Sequence, residues 1–153
     1  MAVTVCAVVC LLAGSAEART IAGQAHASDG DNLVIKGVRI RLYGVDAFEY
    51  DQTCGRFACG QTARRTLAEL VRGQDVACVQ HDIDRYGRMV SVCKLRDGRD
   101  LGGEMVGRGL AVAYRRFSLD YLPQERAAQT ARAGAWAYGF QAPLDYRKSH
   151  PRQ

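Results

Sequence analysis

Three short blocks of the sequence place carboxylates, arginines and glycines close together. They read D-G-D at residues 29–31, R-L-Y-G-V-D-A-F-E at 41–49 and D-R-Y-G-R at 84–88. Carboxylates can hold a hard divalent cation, and the planar guanidinium of an arginine can bind two phosphate oxygens at once. Because the blocks fall in loops between strand-like segments, the sequence predicts a site that brings a metal ion to a phosphodiester.

Asp31 and Asp46 are the candidate metal ligands. Asp31 opens one predicted strand and Asp46 follows another, so the two carboxylates can converge at the mouth of a barrel. A hard cation such as calcium takes carboxylate, carbonyl and water oxygens at about 2.3–2.6 Å. The alternative for the first block is a simple turn, and the presence of the other two blocks favours the metal site.

Glu49, Arg41 and Arg88 are the candidate catalytic residues. A carboxylate near a cation and a phosphate can accept a proton from water, or at least orient the water, and this is the role we predict for Glu49. Arg41 and Arg88 would stabilise charge on the phosphoryl oxygens. The alternatives are a solvated loop glutamate and two surface arginines held in ion pairs.

In order and spacing, the three blocks resemble motifs of the staphylococcal nuclease (thermonuclease) family, across roughly residues 21–136. The first is similar to D-G-D-T, with Asn32 in place of the threonine. The second is similar to R-L-x-G-(I/V)-D-(A/T)-P-E, with Phe48 in place of the proline, and the third, D-(K/R)-Y-G-R, is intact. Phenylalanine allows more backbone conformations than proline, so we expect Phe48 to loosen its loop and to add bulk at the site.

The resemblance implies a calcium site and a substrate. In that family the positions of Asp31 and Asp46 bind calcium, with the backbone carbonyl of Ala47 as a third protein ligand. Asp29 would lie behind these ligands without touching the metal. DNA and RNA, preferably single-stranded, would be cut at the 5′ P–O bond to leave 3′-phosphates.

Two tyrosines complete the set of residues that the resemblance implies. Tyrosines at the positions of Tyr86 and Tyr114 contact the phosphate or the base of a nucleotide in that family. An exposed aromatic ring would suit a single strand, because every base has a face on which to stack. Packing within the hairpin and the loop is the alternative for both residues.

The composition fits one domain with a positively charged surface. The chain has 153 residues, is 48% hydrophobic and carries a formal net charge of +5. Of its 21 basic residues, 18 are arginines. This charge suits a polyanionic partner such as nucleic acid. A GC-rich genome is an equally good cause of the arginine bias, but the positive charge acts on a polyanion in either case.

Residues 1–18 read as a secretory signal peptide, because an apolar run at 3–13 precedes the small-residue triplet A-E-A at 16–18. The segment is short and lacks Lys and Arg, so a mis-assigned start codon that truncates a longer signal is the alternative. The run is too short to span a bilayer, and Cys10 lacks a good lipidation motif. We expect a secreted or periplasmic monomer without a membrane anchor. Its nuclease-like domain would span residues 19–136, and a tail at 137–153 would lie on the surface or fray.

Two of the six cysteines lie in the predicted signal peptide and four follow it. An even number in an exported chain indicates disulfides, whereas the spacings do not form the C-x-x-C pairs typical of zinc sites. We pair Cys78 with Cys93, because they lie on the two arms of a predicted hairpin, equally far from its tip. Cys54 then pairs with Cys59. Four free thiols in a reducing compartment are the alternative.

Hydrophobic periodicity predicts an α+β fold, mainly β. Period-two stretches at 21–43 predict strands, with Val38, Ile40 and Leu42 on the core face and Arg41 on a basic face. Strands at 76–80 and 88–95 form a hairpin with residues 84–87 at its tip, and helices are predicted at 61–72, 101–108 and 123–133. This order suits a five-stranded Greek-key barrel with about three helices, and the resemblance implies the same OB-type barrel.

Together these patterns and the resemblance predict an exported, calcium-dependent nuclease, and the resemblance implies that it acts on both DNA and RNA. Two rivals remain open: a non-catalytic OB-fold module that binds single strands, and a structural or interaction domain derived from a nuclease. Loss of Arg41, Glu49 or an aspartate would favour the first rival, but all are present. A lone domain behind a predicted signal peptide argues against the second rival.

Overall fold

The computed structural model describes residues 19–151, so the signal peptide predicted at residues 1–18 lies outside the described residues. In chain order the elements are β1 (Thr20–Ala27), β2 (Asn32–Ile35), β3 (Val38–Leu42), β4 (Val45–Ala47), α1 (Cys59–Val71), β5 (Asp75–Ile83), β6 (Met89–Leu95), α2 (Leu101–Gly107), β7 (Ala111–Ala113), α3 (Leu122–Thr130), a 3₁₀ helix (Gly134–Ala137) and α4 (Pro143–Ser149).

Five strands close into a barrel in the order β1, β2, β3, β6 and β5, while β4 and β7 form a separate two-stranded sheet. Neighbouring barrel strands are antiparallel except β3 and β6, which run parallel. Closure pairs β1 with β5, which satisfies hydrogen-bonding groups that a free sheet edge would expose. The five-stranded mixed barrel with its surrounding helices confirms the predicted α+β, OB-type fold.

Alternate side chains of the strands fill the barrel, because successive residues of a strand face opposite sides. The helix α1 covers this core with side chains spaced four residues apart, one stripe of its surface. The core includes Leu33, Ile35, Ile40 and Leu42 from the barrel and Ala63, Leu67 and Val71 from α1.

Two helix boundaries show how local sequence sets the elements. The helix α3 ends at Thr130 rather than near residue 133, because Arg132 and Gly134 have φ angles of 51° and 50°. This left-handed conformation cannot continue an α-helix. The helix α2 starts where predicted, and the side chain of Asp100 accepts a hydrogen bond from Gly103 N at 3.0 Å, which caps its first turn.

Both predicted disulfides are present. Cys78 and Cys93 lie directly opposite each other in the ladder between β5 and β6, which confirms the hairpin register. Cys54 and Cys59 close the loop before α1. This second disulfide belongs to a small separate core that also contains Phe48.

The expectation that Phe48 adds bulk at the site is wrong. Its side chain is 1% exposed and packs in the small core with Cys54, Cys59 and Ala135. The ring of Phe140 lies edge-on to it, with the ring centroids 5.0 Å apart. The phenylalanine therefore serves packing behind the site rather than crowding the site itself.

The C-terminal tail, predicted to lie on the surface or fray, lies largely on the surface up to residue 151 but is an ordered part of the fold. The tail forms α4, which begins at Pro143, a residue suited to a first helical turn. The side-chain amide of Gln52 donates a 2.7 Å hydrogen bond to the carbonyl oxygen of Gln141, which ties the approach to α4 to the loop before α1. No long periodic pattern marks this segment, because the helix has only seven residues.

None of the helices in the described part of the chain has the length and apolar character needed to cross a bilayer.

Candidate active site

Asp31 directly precedes β2 and lies against β4. Its main-chain carbonyl oxygen accepts a hydrogen bond from Leu42 N at 2.9 Å, and its Oδ2 accepts one from Ala47 N at 3.3 Å. Gly30 permits this approach, since a Cβ there would lie 2.8 Å from the Cβ of Ala47 and 2.9 Å from that of Ala63. The glycine of the D-G-D block thus brings Asp31 next to the strand that carries Asp46.

Arg41 joins the two predicted metal ligands. Its Nη1 lies 3.0 Å from Oδ2 of Asp31, and its Nη2 lies 3.1 Å from Oδ1 of Asp46. Both carboxylates are buried, at 5% and 1% exposure. The outward face of β3 therefore carries an arginine that spans two buried carboxylates, as the alternation along this strand predicts.

A second arginine, Arg147 of α4, completes the cluster, and the sequence did not identify it. Its Nη1 and Nη2 donate to Oδ1 and Oδ2 of Asp46 at 3.0 and 2.9 Å, a two-pronged contact. The same Nη1 lies 2.9 Å from Oε1 of Glu49. The sequence carries a weak signal for the helix that positions Arg147: an acidic residue in its first turn, Asp145, and basic residues in its last turn are typical of a helix.

Glu49 is held by its own loop and by the start of α1. Its main-chain N donates to Oε1 of Gln52 at 3.2 Å, and its main-chain oxygen accepts from Gln52 N at 2.8 Å. A Cβ at Gly60 would collide with the carbonyl oxygen of Glu49, so α1 packs directly beneath this loop. The structure thus brings Glu49 to the same cluster as Asp46, with Arg147 between their carboxylates.

Arg88 connects to the cluster through Asn32. The Nε and Nη2 of Arg88 both lie 2.7 Å from Oδ2 of Asp84, and its Nη1 donates to Oδ1 of Asn32 at 2.8 Å. The amide Nδ2 of Asn32 donates in turn to Oδ1 of Asp31 at 2.6 Å. The asparagine that replaces the motif threonine therefore links the hairpin tip to Asp31, a role that the sequence reading missed.

Burial and the neighbouring charges together set the pKa values of the side chains in the cluster. The pKa of Asp31 is raised to about 6, mainly by burial; Arg41 opposes the rise, and the charges of Asp46 and Asp29 add to it. Burial also disfavours the charged form of Arg147, but its contacts with the carboxylates outweigh this and raise its pKa above the ordinary value. The pKa of Arg41 is raised as well, so Arg41 and Arg147 both remain cations.

The two candidate nucleotide-binding tyrosines differ in their surroundings. Tyr86, at the tip of the hairpin, is 56% exposed, and the guanidinium carbon of Arg88 lies 5.4 Å from the centre of its ring. Tyr114 follows β7, the partner of β4, and its ring meets Phe117 edge-on at 4.8 Å. The hairpin therefore places Tyr86 beside one predicted phosphate-binding arginine.

The donor set of the cluster fits a hard cation with few protein ligands. Among the described residues, no group of three or more His, Cys, Asp or Glu side chains is arranged to hold a metal ion. Asp31 and Asp46 nevertheless offer buried carboxylate oxygens, and Asp29 adds a nearby negative charge. Arg41 and Arg147 bridge the carboxylates of Asp31, Asp46 and Glu49, and a bound cation would add a further positive charge to this acidic cluster.

Comparison with known proteins assigns the family. Residues 39–138 match the family described as Staphylococcal nuclease homologue, a range that includes the second and third sequence blocks and most of the chain. The chain belongs to the staphylococcal nuclease homologue family. The resemblance that the three blocks carry is thereby confirmed.

Proteins similar to this chain carry names that describe different functions. The chain is 35% identical over 117 residues to an uncharacterized endonuclease of Haemophilus influenzae, covering 72% of this chain and 62% of that relative. It is 34% identical over 131 residues to the succinoglycan biosynthesis protein ExoI of Rhizobium meliloti, with 81% and 68% covered. It is 30% identical over 138 residues to a micrococcal nuclease of Shigella flexneri, with 79% and 76% covered. The chain thus spans less than two thirds of the Haemophilus protein.

Proposed function

We propose that the chain is a nuclease that hydrolyses phosphodiester bonds of DNA and RNA with calcium as its cofactor. The observation that carries the proposal is the connected cluster of Asp31, Arg41 and Asp46, which Asn32 links to Arg88. Membership of the family supports the same class of reaction, as do the names endonuclease and micrococcal nuclease among similar proteins.

Asp31, Asp46 and the backbone carbonyl of Ala47 would hold calcium, and Asp29 would support them without touching the ion. These hard oxygen donors suit calcium, whereas magnesium demands a stricter octahedron and should support activity poorly. When bound, the ion would polarise the phosphate and lower the pKa of a coordinated water.

The protein's own residues would carry out the proton transfer and the charge stabilisation that the hydrolysis needs. Glu49 would accept a proton from the attacking water, or orient it, while the water oxygen bonds to phosphorus. The bond from phosphorus to the 5′ oxygen breaks in line, and that oxygen takes a proton from solvent, which leaves a 3′-phosphate and a 5′-hydroxyl. Arg41 and Arg88 would hold the non-bridging oxygens as negative charge spreads over them.

A single strand is the substrate form that we favour. Tyr86 is exposed beside Arg88, so its ring is available to a nucleotide whose phosphate the arginine holds. Tyr114 would make a second nucleotide contact. The positive net charge of the chain would draw either DNA or RNA to this face.

Export to the periplasm or the medium, as a monomer, belongs to the same proposal. Two disulfides in a chain of this size are typical of proteins that mature in an oxidising compartment. Cleavage after residue 18 would produce the mature protein.

A non-catalytic module that binds single strands is the alternative. The observation that favours it is that Arg41, Arg88 and Glu49 are all engaged by other protein groups, which a substrate and a metal ion would have to displace. If a substrate and a metal ion cannot displace these contacts, the chain would bind single strands without cutting them.

One experiment separates the two functions. The purified, oxidised protein is incubated with denatured DNA and with RNA, first with calcium and then with excess chelator, and both cutting and binding are measured. We expect cutting that needs calcium and leaves 3′-phosphates. Binding without cutting would establish the alternative, and full activity after exhaustive chelation would exclude the metal role of Asp31 and Asp46.

A further inference from the structure

Arg147 occupies the carboxylate oxygens that a cation on Asp46 would need. Its two terminal nitrogens donate to both oxygens of Asp46, at 3.0 and 2.9 Å. Arg41 also holds Oδ1 of Asp46, at 3.1 Å. Any metal ion that binds Asp46 must therefore compete with Arg147 for the same atoms.

The segment that carries Arg147 is docked by contacts outside the charged cluster. The ring of Phe140 lies edge-on to buried Phe48, with centroids 5.0 Å apart. The side chain of Gln52 holds the main chain of Gln141 at 2.7 Å. We call these two contacts the anchor. The anchor contains no charged group, so its two contacts do not themselves depend on the ion pairs of Arg147.

We propose that the guanidinium of Arg147 occupies Asp46 in the metal-free protein and thereby lowers the affinity of the site for calcium. The inference rests on the proposed function, because it takes Asp46 as a calcium ligand. In the metal-free protein the guanidinium fork bridges Asp46 and Glu49 and offsets part of their negative charge. When calcium binds, the fork leaves Asp46, while the anchor keeps α4 in place.

The physical reason is competition between two cations for one carboxylate. Without Arg147, the carboxylates of Asp46 and Glu49 would lose a positive charge that they share, and the more negative potential at Asp46 would attract a divalent ion more strongly. Thermodynamic linkage requires that Arg147 weakens calcium binding by the same factor by which calcium weakens the Arg147 contact. Because Arg147 and Asp46 belong to one chain, this competition is intramolecular and does not depend on protein concentration, and the anchor holds Arg147 close to Asp46.

Calcium affinity, measured by titration calorimetry on the purified oxidised protein, tests the proposal. Arg147→Gln should bind calcium about 10- to 100-fold more tightly, as expected when one or two charge-assisted hydrogen bonds no longer compete. Arg147→Lys should fall between this variant and the unmodified protein, because an ammonium keeps the charge but loses the planar fork. Lys148→Gln is the matched control: Lys148 adjoins Arg147 on α4, its side chain is 67% exposed, and it pairs with Asp145. That control should change the affinity less than about twofold.

A second variant tests the anchor without touching the charged cluster. Phe140→Ala removes the contact with Phe48 and should also tighten calcium binding, because Arg147 is then held less firmly over Asp46. Thermal unfolding with chelator and with calcium gives a second measurement: calcium should raise the melting temperature more in both variants than in the unmodified protein. This measurement also reports whether each variant is folded.

The outcomes separate this inference from the proposed function. If the unmodified protein binds calcium and Arg147→Gln binds it no more tightly than Lys148→Gln, the inference is wrong and the proposed function stands. If Arg147→Lys matches the unmodified protein while Arg147→Gln binds more tightly, charge alone sets the affinity and displacement of the fork is refuted. If no variant binds calcium, the metal role of Asp46 fails and the inference fails with it.

Discussion

Replacing Phe48 by alanine should cost the protein much of its stability. Phe48 is 1% exposed, lies in the small core with the Cys54–Cys59 disulfide, and meets the ring of Phe140 edge-on. A Phe→Ala change in a core removes the transfer free energy of the ring and leaves a cavity, which together cost about 3–5 kcal/mol. Loss of the aromatic pair accounts for about 0.5–1.5 kcal/mol of this.

The area that Phe48 buries gives a similar figure. A buried phenylalanine removes about 200 Å² from water, and about 25 cal/mol per Å² gives about 5 kcal/mol as an upper bound. Domains of this size have about 5–15 kcal/mol of stability in total, so the variant would lose a large part of it. The melting temperature should fall by about 10–20 °C.

Urea unfolding of the oxidised protein measures the change. Far-ultraviolet circular dichroism follows the whole fold, and the fluorescence of Trp136, whose ring lies 4.7 Å from that of Phe140, follows the small core. Coincident transitions would justify a two-state free energy. Phe117→Ala, at a ring that is 56% exposed, is the control and should cost less than about 1 kcal/mol.

A loss below about 1 kcal/mol for Phe48→Ala, with an unchanged slope against urea, would refute the assignment of Phe48 to a core. The same reasoning predicts the effect of Phe48→Pro. Proline would restore the motif and stiffen the loop, but it would also remove a buried ring, so this variant should be destabilised rather than nearly neutral.

Three further changes test other parts of the structure. Glu49→Gln should lower kcat by a factor of about 10²–10⁴ if Glu49 handles the proton of the attacking water, and unchanged turnover would remove that role. Replacing Cys78 and Cys93 together by alanine should cost about 2–4 kcal/mol in urea unfolding, as for a loop of about 15 residues. Glu125→Ala should cost about 1–3 kcal/mol, because buried Glu125 accepts a 3.0 Å hydrogen bond from Ala113 N that would otherwise lack a partner.

The barrel and most of the cluster could be predicted because their signals are local. The alternation of Ile40, Arg41 and Leu42 fixes which side chain faces outward on β3. The equal spacing of Cys78 and Cys93 about the hairpin tip fixes the register of β5 against β6. Gly30 is a further local signal. Only a residue without a side chain fits against Ala47 at this position, and this lets Asp31 approach β4.

Arg147 could not be predicted, because its role depends on contacts distant in sequence. It lies 101 residues after Asp46 and 98 residues after Glu49, on a helix of seven residues. Charged residues on so short a helix normally indicate a solvated face, and here the contacts of Phe140 with Phe48 and of Gln141 with Gln52 help to turn this face toward the site. The burial of Phe48 is unpredictable for the same reason: the partner that covers it comes from the tail.

Within the proposed function, Arg41 and Arg88 become available to phosphate under different conditions, because their carboxylate partners differ. Arg41 is paired with Asp31 and Asp46, the two proposed calcium ligands, whereas Arg88 is paired with Asp84. A cation on the two ligands would weaken their hold on Arg41 and leave the Arg88 pair intact. Since carboxylate and phosphate compete for the same guanidinium fork, occupation of the metal site would make Arg41, and not Arg88, more available to the substrate. The cluster would thus couple phosphate binding to metal binding through one arginine.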